Sequence, residues 1–367
     1  MGIKNVMYMT LAQALDHLCI DVRHNLQYLH HMLSDASSRA AYPPVKVGLV
    51  GAGQWAATMH APLHSAGAGT ELAGIWSASG STAAALAAEH GVPAFGTFEE
   101  LLASCEAVDF AVPPPVQAEL APQAADAGLA LLLEKPLGAS LEQATAVAEA
   151  VRRNGVANAV VLTKRYHQRT RAFLAAAAEL RSQGAVLGVT GTYLHGGFLA
   201  GGFVAPGGRS GRADQSGRGT HGVQSWRDEF GALYDLGPHL LDLMDLAAGP
   251  IEAVRADGSK QYAALTTFHS GGATGQASLS GSVRLPAART TLSLYSSAGS
   301  LDYSTEGMDH SECWPVLRRE FADAVRLGTA VTVDVERALY LQALVEAAAR
   351  SLREQRPVGV AGLLAGG

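Results

Sequence analysis

A chain of 367 residues, 48% hydrophobic and 16% charged, has the composition of a folded globular protein rich in Ala and Gly and is long enough for two domains. A net charge of −6 without a basic cluster argues against nucleic acid, and Cys19, Cys105 and Cys313 lie far apart without a CxxC pair, offering neither a zinc site nor a disulfide framework. No apolar run approaches the roughly 20 residues that cross a bilayer, and the N-terminus lacks the pattern of a secretory signal, so the expectation is a cytoplasmic protein with no membrane partner.

Leu11, Leu15, Leu18, Val22, Leu26, Leu29 and Leu33 recur at steps of three and four and predict one amphipathic helix. A Ser-, Ala- and Pro-rich linker over 34–44 follows. Residues 1–44 are thus read as an extension that either docks or is dispensable, because the fold needs nothing before Val45.

The apolar run 45–50 reads as a buried strand and leads directly into Gly51-Ala52-Gly53-Gln54-Trp55-Ala56, the spacing of a dinucleotide-binding turn with Ala in its last place. Gly51 turns the chain off the strand, Gly53 has no Cβ to hold a pyrophosphate away, and Ala56 lets the following helix pack closely. The anion would then sit on unpaired N–H groups at the helix start, beside Gln54 and Trp55. Pro62 is expected to end or kink that helix.

Strands over 72–77, 108–112, 129–133 and 159–163 alternate with helices over 81–90, 116–127 and 141–154, the pattern of a doubly wound parallel sheet. This dinucleotide-binding domain spans 45–164. From 165 to 330 the grain changes: after a helix over 171–183, strands over 186–194, 251–257, 263–269, 275–283, 290–296 and 300–303 predict an α/β domain with a large, mostly antiparallel open sheet. Ser270-Gly271-Gly272 marks a hairpin between two of those strands. The Gly-rich segment 196–222, with Arg209, Arg212 and Arg218, is too long for an ordinary connection and is read as functional or disordered. Helices over 316–327 and 335–355 close the chain, residues 331–367 returning to the body.

Three segments follow strands or begin helices where a Rossmann crevice opens. Pro113-Pro114-Pro115 is expected as a stiff extended turn. Glu134-Lys135-Pro136 ends an unbroken apolar run, where a partly desolvated lysine has its pKa lowered and exchanges a proton with a substrate oxygen. In Tyr234-Asp235-Leu236-Gly237-Pro238-His239, Pro238 reads as a helix start, with Asp235 and His239 four apart on one face. There a carboxylate can orient an imidazole that acts as a base; the competing reading is a helix cap and a satisfied histidine.

The order GAGQWA, PPP, EKP and DLGPH with Asp242, and the lengths between them, resembles the glucose–fructose oxidoreductase / inositol dehydrogenase / MocA (Gfo/Idh/MocA) family from Val45 to about Val360. The resemblance implies that Lys135 and His239 transfer protons, that Asp235 binds or orients substrate, and that Pro113, Pro115 and Glu134 line the nicotinamide pocket. It also implies an open sheet serving as substrate site or homo-oligomer contact, and it makes Trp226 and Arg227 candidate substrate contacts. Two departures stand out. Where NAD-preferring members often carry an acidic residue, this chain has Ser77, Ser79 and Thr82 and no carboxylate, which favours NADP over NAD. Gln117 stands where many members have histidine, and an amide cannot titrate near neutrality.

These residues lead to an NAD(P)-dependent oxidoreductase that moves hydride between nicotinamide and a secondary alcohol or ketone of a sugar, cyclitol or related polyol. A non-catalytic dinucleotide- or sugar-binding regulator on the same frame is the alternative.

Overall fold

The computed structural model describes residues 42–199 and 221–364, and of residues 221–230 the backbone only. The helix read over 11–33 and the centre of the Gly-rich segment lie outside these residues.

Short apolar runs, each followed by an Ala-rich stretch, form a parallel five-stranded sheet. Its strands are β1 (Val45–Val50), β2 (Thr70–Trp76), β3 (Ala107–Phe110), β4 (Ala130–Leu133) and β5 (Asn158–Val160), in the order β2-β1-β3-β4-β5. Every residue of β3 and β4 is buried, as helices on both faces of a parallel sheet require. From β1 the chain runs outward to β2 and then back across to β3. The two connections diverge between β1 and β3, opening a crevice at the carboxyl ends of those strands.

After β1 a π-turn over Ala56–His60 runs into helix α1 (Ala61–Ser65), with Pro62 in the first turn of α1. Proline has no N–H for the carbonyl four residues earlier. The ladder instead widens just before it, Ala61 donating to the carbonyl of Ala56, so the disturbance expected at Pro62 lies one turn earlier. Helices α2 (Gly80–His90), α3 (Phe98–Ser104), α4 (Pro114–Asp126) and α5 (Leu141–Asn154) complete this half. Helix α3 is too short for a periodic signal. Its signature is a capping box in which Thr97 accepts from the Glu100 N–H and Glu100 reaches back to the Thr97 N–H. The triple proline is not one extended turn: Pro113 is extended, whereas Pro114 and Pro115 open α4, where their missing N–H groups have no helical partner to lose.

The second sheet has seven strands: β6 (Val186–Leu194), β7 (Ile251–Gly258), β8 (Ala263–His269), β9 (Thr274–Ser280), β10 (Arg289–Ser296), β11 (Gly299–Ser304) and β12 (Val358–Gly359). Their order is β11-β10-β6-β9-β8-β7-β12, antiparallel except where β6 meets β9. Helix α6 (Gln168–Gln183) precedes it, and α7 (His221–Ala248) packs on β6 and β9. Gly231 breaks α7 with a φ of 71°, and a Cβ there would lie 2.6 Å from the Lys260 carbonyl oxygen. Gly231 rather than Pro238 therefore marks the break in the helix, and Pro238 stands inside the segment that follows, removing one helical bond.

Helices α8 (Cys313–Leu327) and α9 (Val335–Glu354) follow, and α9 touches α5, α7 and β7. Buried Asp242 accepts from Arg165, 3.0 Å away, and from Arg337, 2.8 Å away; Asp245 accepts from Arg337 and from the Tyr340 hydroxyl. These paired charges lock α7 onto α9 and onto the turn after β5. A short helix, α10 (Ala361–Leu364), ends the described chain, and no described helix is long and apolar enough to cross a membrane.

Candidate active site

At the head of the crevice Gly51 adopts a φ of 112°. A Cβ there would lie 2.4 Å from the Ala111 carbonyl oxygen beyond β3, so only glycine permits this approach. The Gly51 N–H donates to the Trp76 carbonyl, bringing the end of β2 alongside. Gly53 and Gln54 are exposed at the start of the following helix, whose first N–H groups have no partner within the helix. That arrangement fits a pyrophosphate. Ser77, Ser79 and Thr82 cluster beyond β2; Ser79 and Thr82 are exposed, and Thr82 donates to the Ser79 carbonyl. Pro113 is half-buried at the N-cap of α4, and Pro115 is exposed in its first turn.

Below that head, β4 is followed by Glu134 and Lys135. The Lys135 ammonium donates to Asp235 Oδ1 at 2.6 Å and to the Asp235 carbonyl at 2.9 Å, tying the first sheet to α7. The expected pairing of Asp235 with His239 is not formed, because the carboxylate is taken by Lys135. His239 instead meets the Tyr193 ring edge-on at 5.9 Å, and among the described residues its buried Nδ1 has no hydrogen-bond partner. Burial first, then the positive charges of Lys164 and Lys135, lowers the His239 pKa well below its usual value, against the opposing pull of Asp235. At neutral pH the imidazole is uncharged and free to accept a proton. Trp226 and Arg227 fall in the first turns of α7, whose side chains lie outside the described residues.

Glu134 is held by a network that sequence reasoning missed. Its carboxylate accepts from Trp55 Nε1 at 2.8 Å and from the Lys135 N–H at 3.0 Å, and meets His60 Nε2 at 3.2 Å. His60 Nδ1 lies 2.8 Å from Asp109 Oδ2, which also accepts from His64 Nε2 at 2.9 Å, and His64 in turn bonds Thr70. A carboxylate at each ring nitrogen calls for an imidazolium. Burial alone would lower the His60 pKa, but Asp109 and Glu134 override it and raise it to about 10. Burial likewise opposes ionisation of Asp109, yet His60 and His64 hold its pKa down to about 2.

Gln117, fully buried, closes the site from α4. Its amide nitrogen donates to the Glu134 carbonyl at 2.8 Å and reaches those of Pro136 and Leu137, while its amide oxygen accepts from the Glu134 N–H at 2.8 Å. Gln117 thus clamps the backbone where Glu134-Lys135-Pro136 turns.

Lys164 was also missed. It lies on the 3₁₀ turn Thr163–Tyr166 directly after β5, is 5% exposed, and places Nζ 3.7 Å above the Tyr193 ring. Burial first, then the charge of Lys135, lowers its pKa to about 7, with Cys313 and Asp235 opposing. Lys135, for its part, is paired with Asp235.

A parallel sheet with a glycine turn at its crevice, beside a second and mostly antiparallel sheet, is the frame of a dinucleotide-binding oxidoreductase. The family model described as oxidoreductase family, NAD-binding Rossmann fold, matches residues 45–162. A D-xylose 1-dehydrogenase (NADP+) of Haloferax volcanii is 39% identical over 127 residues, which are 34% of this chain and 38% of that relative. Two solved structures share the fold. GenD2 from gentamicin A biosynthesis, in complex with NAD, has a TM-score of 0.73 at 22% identity, covering 87% of this chain and 97% of its own. Levoglucosan dehydrogenase, in complex with NADH and levoglucosan, has 0.72 at 19% identity, covering 86% and 99%.

Proposed function

We propose that the protein is an NAD(P)-dependent dehydrogenase acting on a secondary alcohol of a sugar, cyclitol or related polyol, or reducing the corresponding ketone. The observation that carries this reading is the junction of Lys135, Asp235 and His239 at the mouth of the nucleotide crevice. Gly51, Gly53, Gln54 and Trp55 would hold the pyrophosphate end, and Pro113, Pro115 and Glu134 the nicotinamide end. Bound nicotinamide would supply the hydride acceptor or donor. In the oxidative direction the Lys135 ammonium donates a hydrogen bond to the substrate oxygen, and the uncharged His239 imidazole accepts the hydroxyl proton as the carbinol hydrogen leaves with its electron pair. Asp235 fixes the position of Lys135. The sugar class is supported by the names of the xylose and levoglucosan dehydrogenases.

We assign NADP as the preferred cofactor, because Ser77, Ser79 and Thr82 offer hydroxyl donors and no carboxylate; the named cofactor of the Haloferax relative agrees. The same reading includes a homo-oligomer, for which exposed Leu187, Tyr262, Phe268 and Tyr295 offer apolar contact area, and light scattering measures it. Titration with NADPH and then NADH, followed by nicotinamide fluorescence, tests the cofactor assignment. Tighter NADPH binding supports it, tighter NADH binding reverses the preference, and absence of binding to both removes the oxidoreductase reading.

A further inference from the structure

Lys164 is an unusual group to find beside a hydride-transfer site. Lysine is rarely buried without a paired anion, since removing its charge from water is expensive. Among the described residues the Lys164 ammonium forms no ion pair, and the contact it makes is with the face of Tyr193. The acids nearby are already engaged: Asp235 pairs with Lys135 and Glu312 with His167 at 3.2 Å. The other groups whose charge it feels or affects are bases or weak acids: Lys135 from β4, His239 from α7, His310 from the turn before α8, and Cys313 at the start of α8. Lys164 and His239 both rest on Tyr193, one over its face and the other at its edge. The buried ammonium therefore stands next to the proton acceptor, in a local field with one positive charge in excess.

We infer that the substrate carries a carboxylate, and that Lys164 binds it while His239 and Lys135 engage the reacting hydroxyl. This rests on the dehydrogenase reading above and narrows its polyol to a sugar acid, an aldonate or a uronate. A single point charge without an arginine fork suits one carboxylate; a phosphate dianion would call for a second cation. A bound carboxylate supplies the missing counter-ion and favours the charged lysine, so the free site's lowered pKa of about 7 becomes a pH-dependent affinity.

The test compares D-glucuronate with D-glucose, and D-gluconate with sorbitol, as substrates of the full chain with NADP. At pH 6 the acid of each pair should show kcat/KM higher by about tenfold or more, the advantage shrinking as pH rises past 8. Lys164→Met should collapse that acid-over-neutral ratio towards one through KM rather than kcat, and Lys164→Arg should retain most of it. Neutral sugars that match or exceed their acids, or a Lys164→Met variant that keeps the ratio, would overturn the inference while leaving the dehydrogenase reading intact. Calorimetric binding of glucuronate and of glucose to the NADPH-loaded protein gives a readout independent of turnover. Carboxylate-dependent binding that Lys164→Met removes upholds the anion site even if no substrate is oxidised, the outcome that would sink the dehydrogenase reading alone; equal binding of the two sugars sinks the anion site.

Discussion

The Lys135 ammonium lies 2.6 Å from Asp235 Oδ1, joining residues 100 positions apart on two different sheets' frameworks. Both side chains are nearly buried, at 14% and 6% exposed, so neither has water to fall back on when the other is removed. Lys135→Met should lower kcat on the order of 100- to 10,000-fold while NADPH affinity stays within about threefold. Asp235→Asn keeps the carbonyl contact but loses the charge that positions the lysine, and should cost less. Steady-state kinetics beside a fluorescence titration separate the two effects, and a Lys135→Met enzyme with normal turnover would remove the residue from the chemistry.

The His60–Asp109 pair sets a stability window. His60 has its pKa raised from 6.5 to about 10, so its contribution is complete below 6.5 and is lost as pH climbs towards 10. Asp109 has its pKa lowered from 3.8 to about 2, so its contribution is present above 3.8 and is lost as pH falls towards 2. Unfolding free energy in urea should therefore plateau between these limits, from about pH 4 to 6.5. Asp109→Ala strands a buried imidazolium and should remove about 3–5 kcal/mol within that plateau. A variant as stable as the parent at pH 6 would mean that water or a rearranged carboxylate satisfies His60.

Gly51→Ala tests the crevice without touching a titratable group. The new Cβ would need to move away from the Ala111 carbonyl oxygen, 2.4 Å distant, and the φ of 112° disfavours any side chain. NADPH affinity should fall at least about tenfold, with a smaller loss of thermal stability. Gly91 at the end of α2 has open space for a Cβ, so Gly91→Ala reports strain from its φ of 66° alone and serves as the control.

What the sequence reveals of this site is what lies within a few residues of a strand end. The glycine turn, Glu134-Lys135 after β4 and Asp235-Pro238-His239 are local patterns, and the structure brings Lys135 and Asp235 together. The partners of those residues are not local. His60 meets Asp109 across 49 positions and Glu134 across 74, pairings that only the β1-β3-β4 strand order creates. Signals did exist: Asp109 is a carboxylate within an apolar run, His60 and His64 are four apart after the glycine turn, and Lys164 follows the last strand of the sheet directly. Each is ambiguous until burial is known, because an exposed residue in the same place would be ordinary. The helix boundary near Pro238 differs for another reason: Gly231 ends one helical segment and begins another, and proline about two turns later mimics a start signal.

Lys164 weakens the fold for the sake of the site. Its pKa falls from 10.5 to about 7 on folding, so the unfolded chain holds this proton more tightly. The penalty is full below about pH 7 and fades as pH rises towards 10.5, and it amounts to no more than about 5 kcal/mol. Lys164→Met keeps the length of the side chain and removes the charge, so the melting temperature should rise by several degrees at pH 6 and hardly at all near pH 10. A variant that melts lower at pH 6 would show that the ammonium has a stabilising partner in the folded chain.

His239 gives the sharpest pH prediction, since its unpartnered Nδ1 and its uncharged state at neutrality follow from the same burial. Alcohol oxidation requires the imidazole unprotonated, so kcat/KM for a neutral alcohol, which does not engage Lys164, should be flat through neutrality and fall only well below pH 6.5. His239→Ala should lose that acid limb together with most of the rate. The charges around the ring make the limb movable: Lys164 and Lys135 push the pKa down, and Asp235 pulls it up. In Lys164→Met the His239 resonance in a histidine-labelled NMR titration should therefore move its midpoint towards 6.5, and in Asp235→Asn further below it. Midpoints that stay put in both variants would mean that desolvation alone sets the pKa, and that the lysines beside His239 take no part in tuning the proton acceptor.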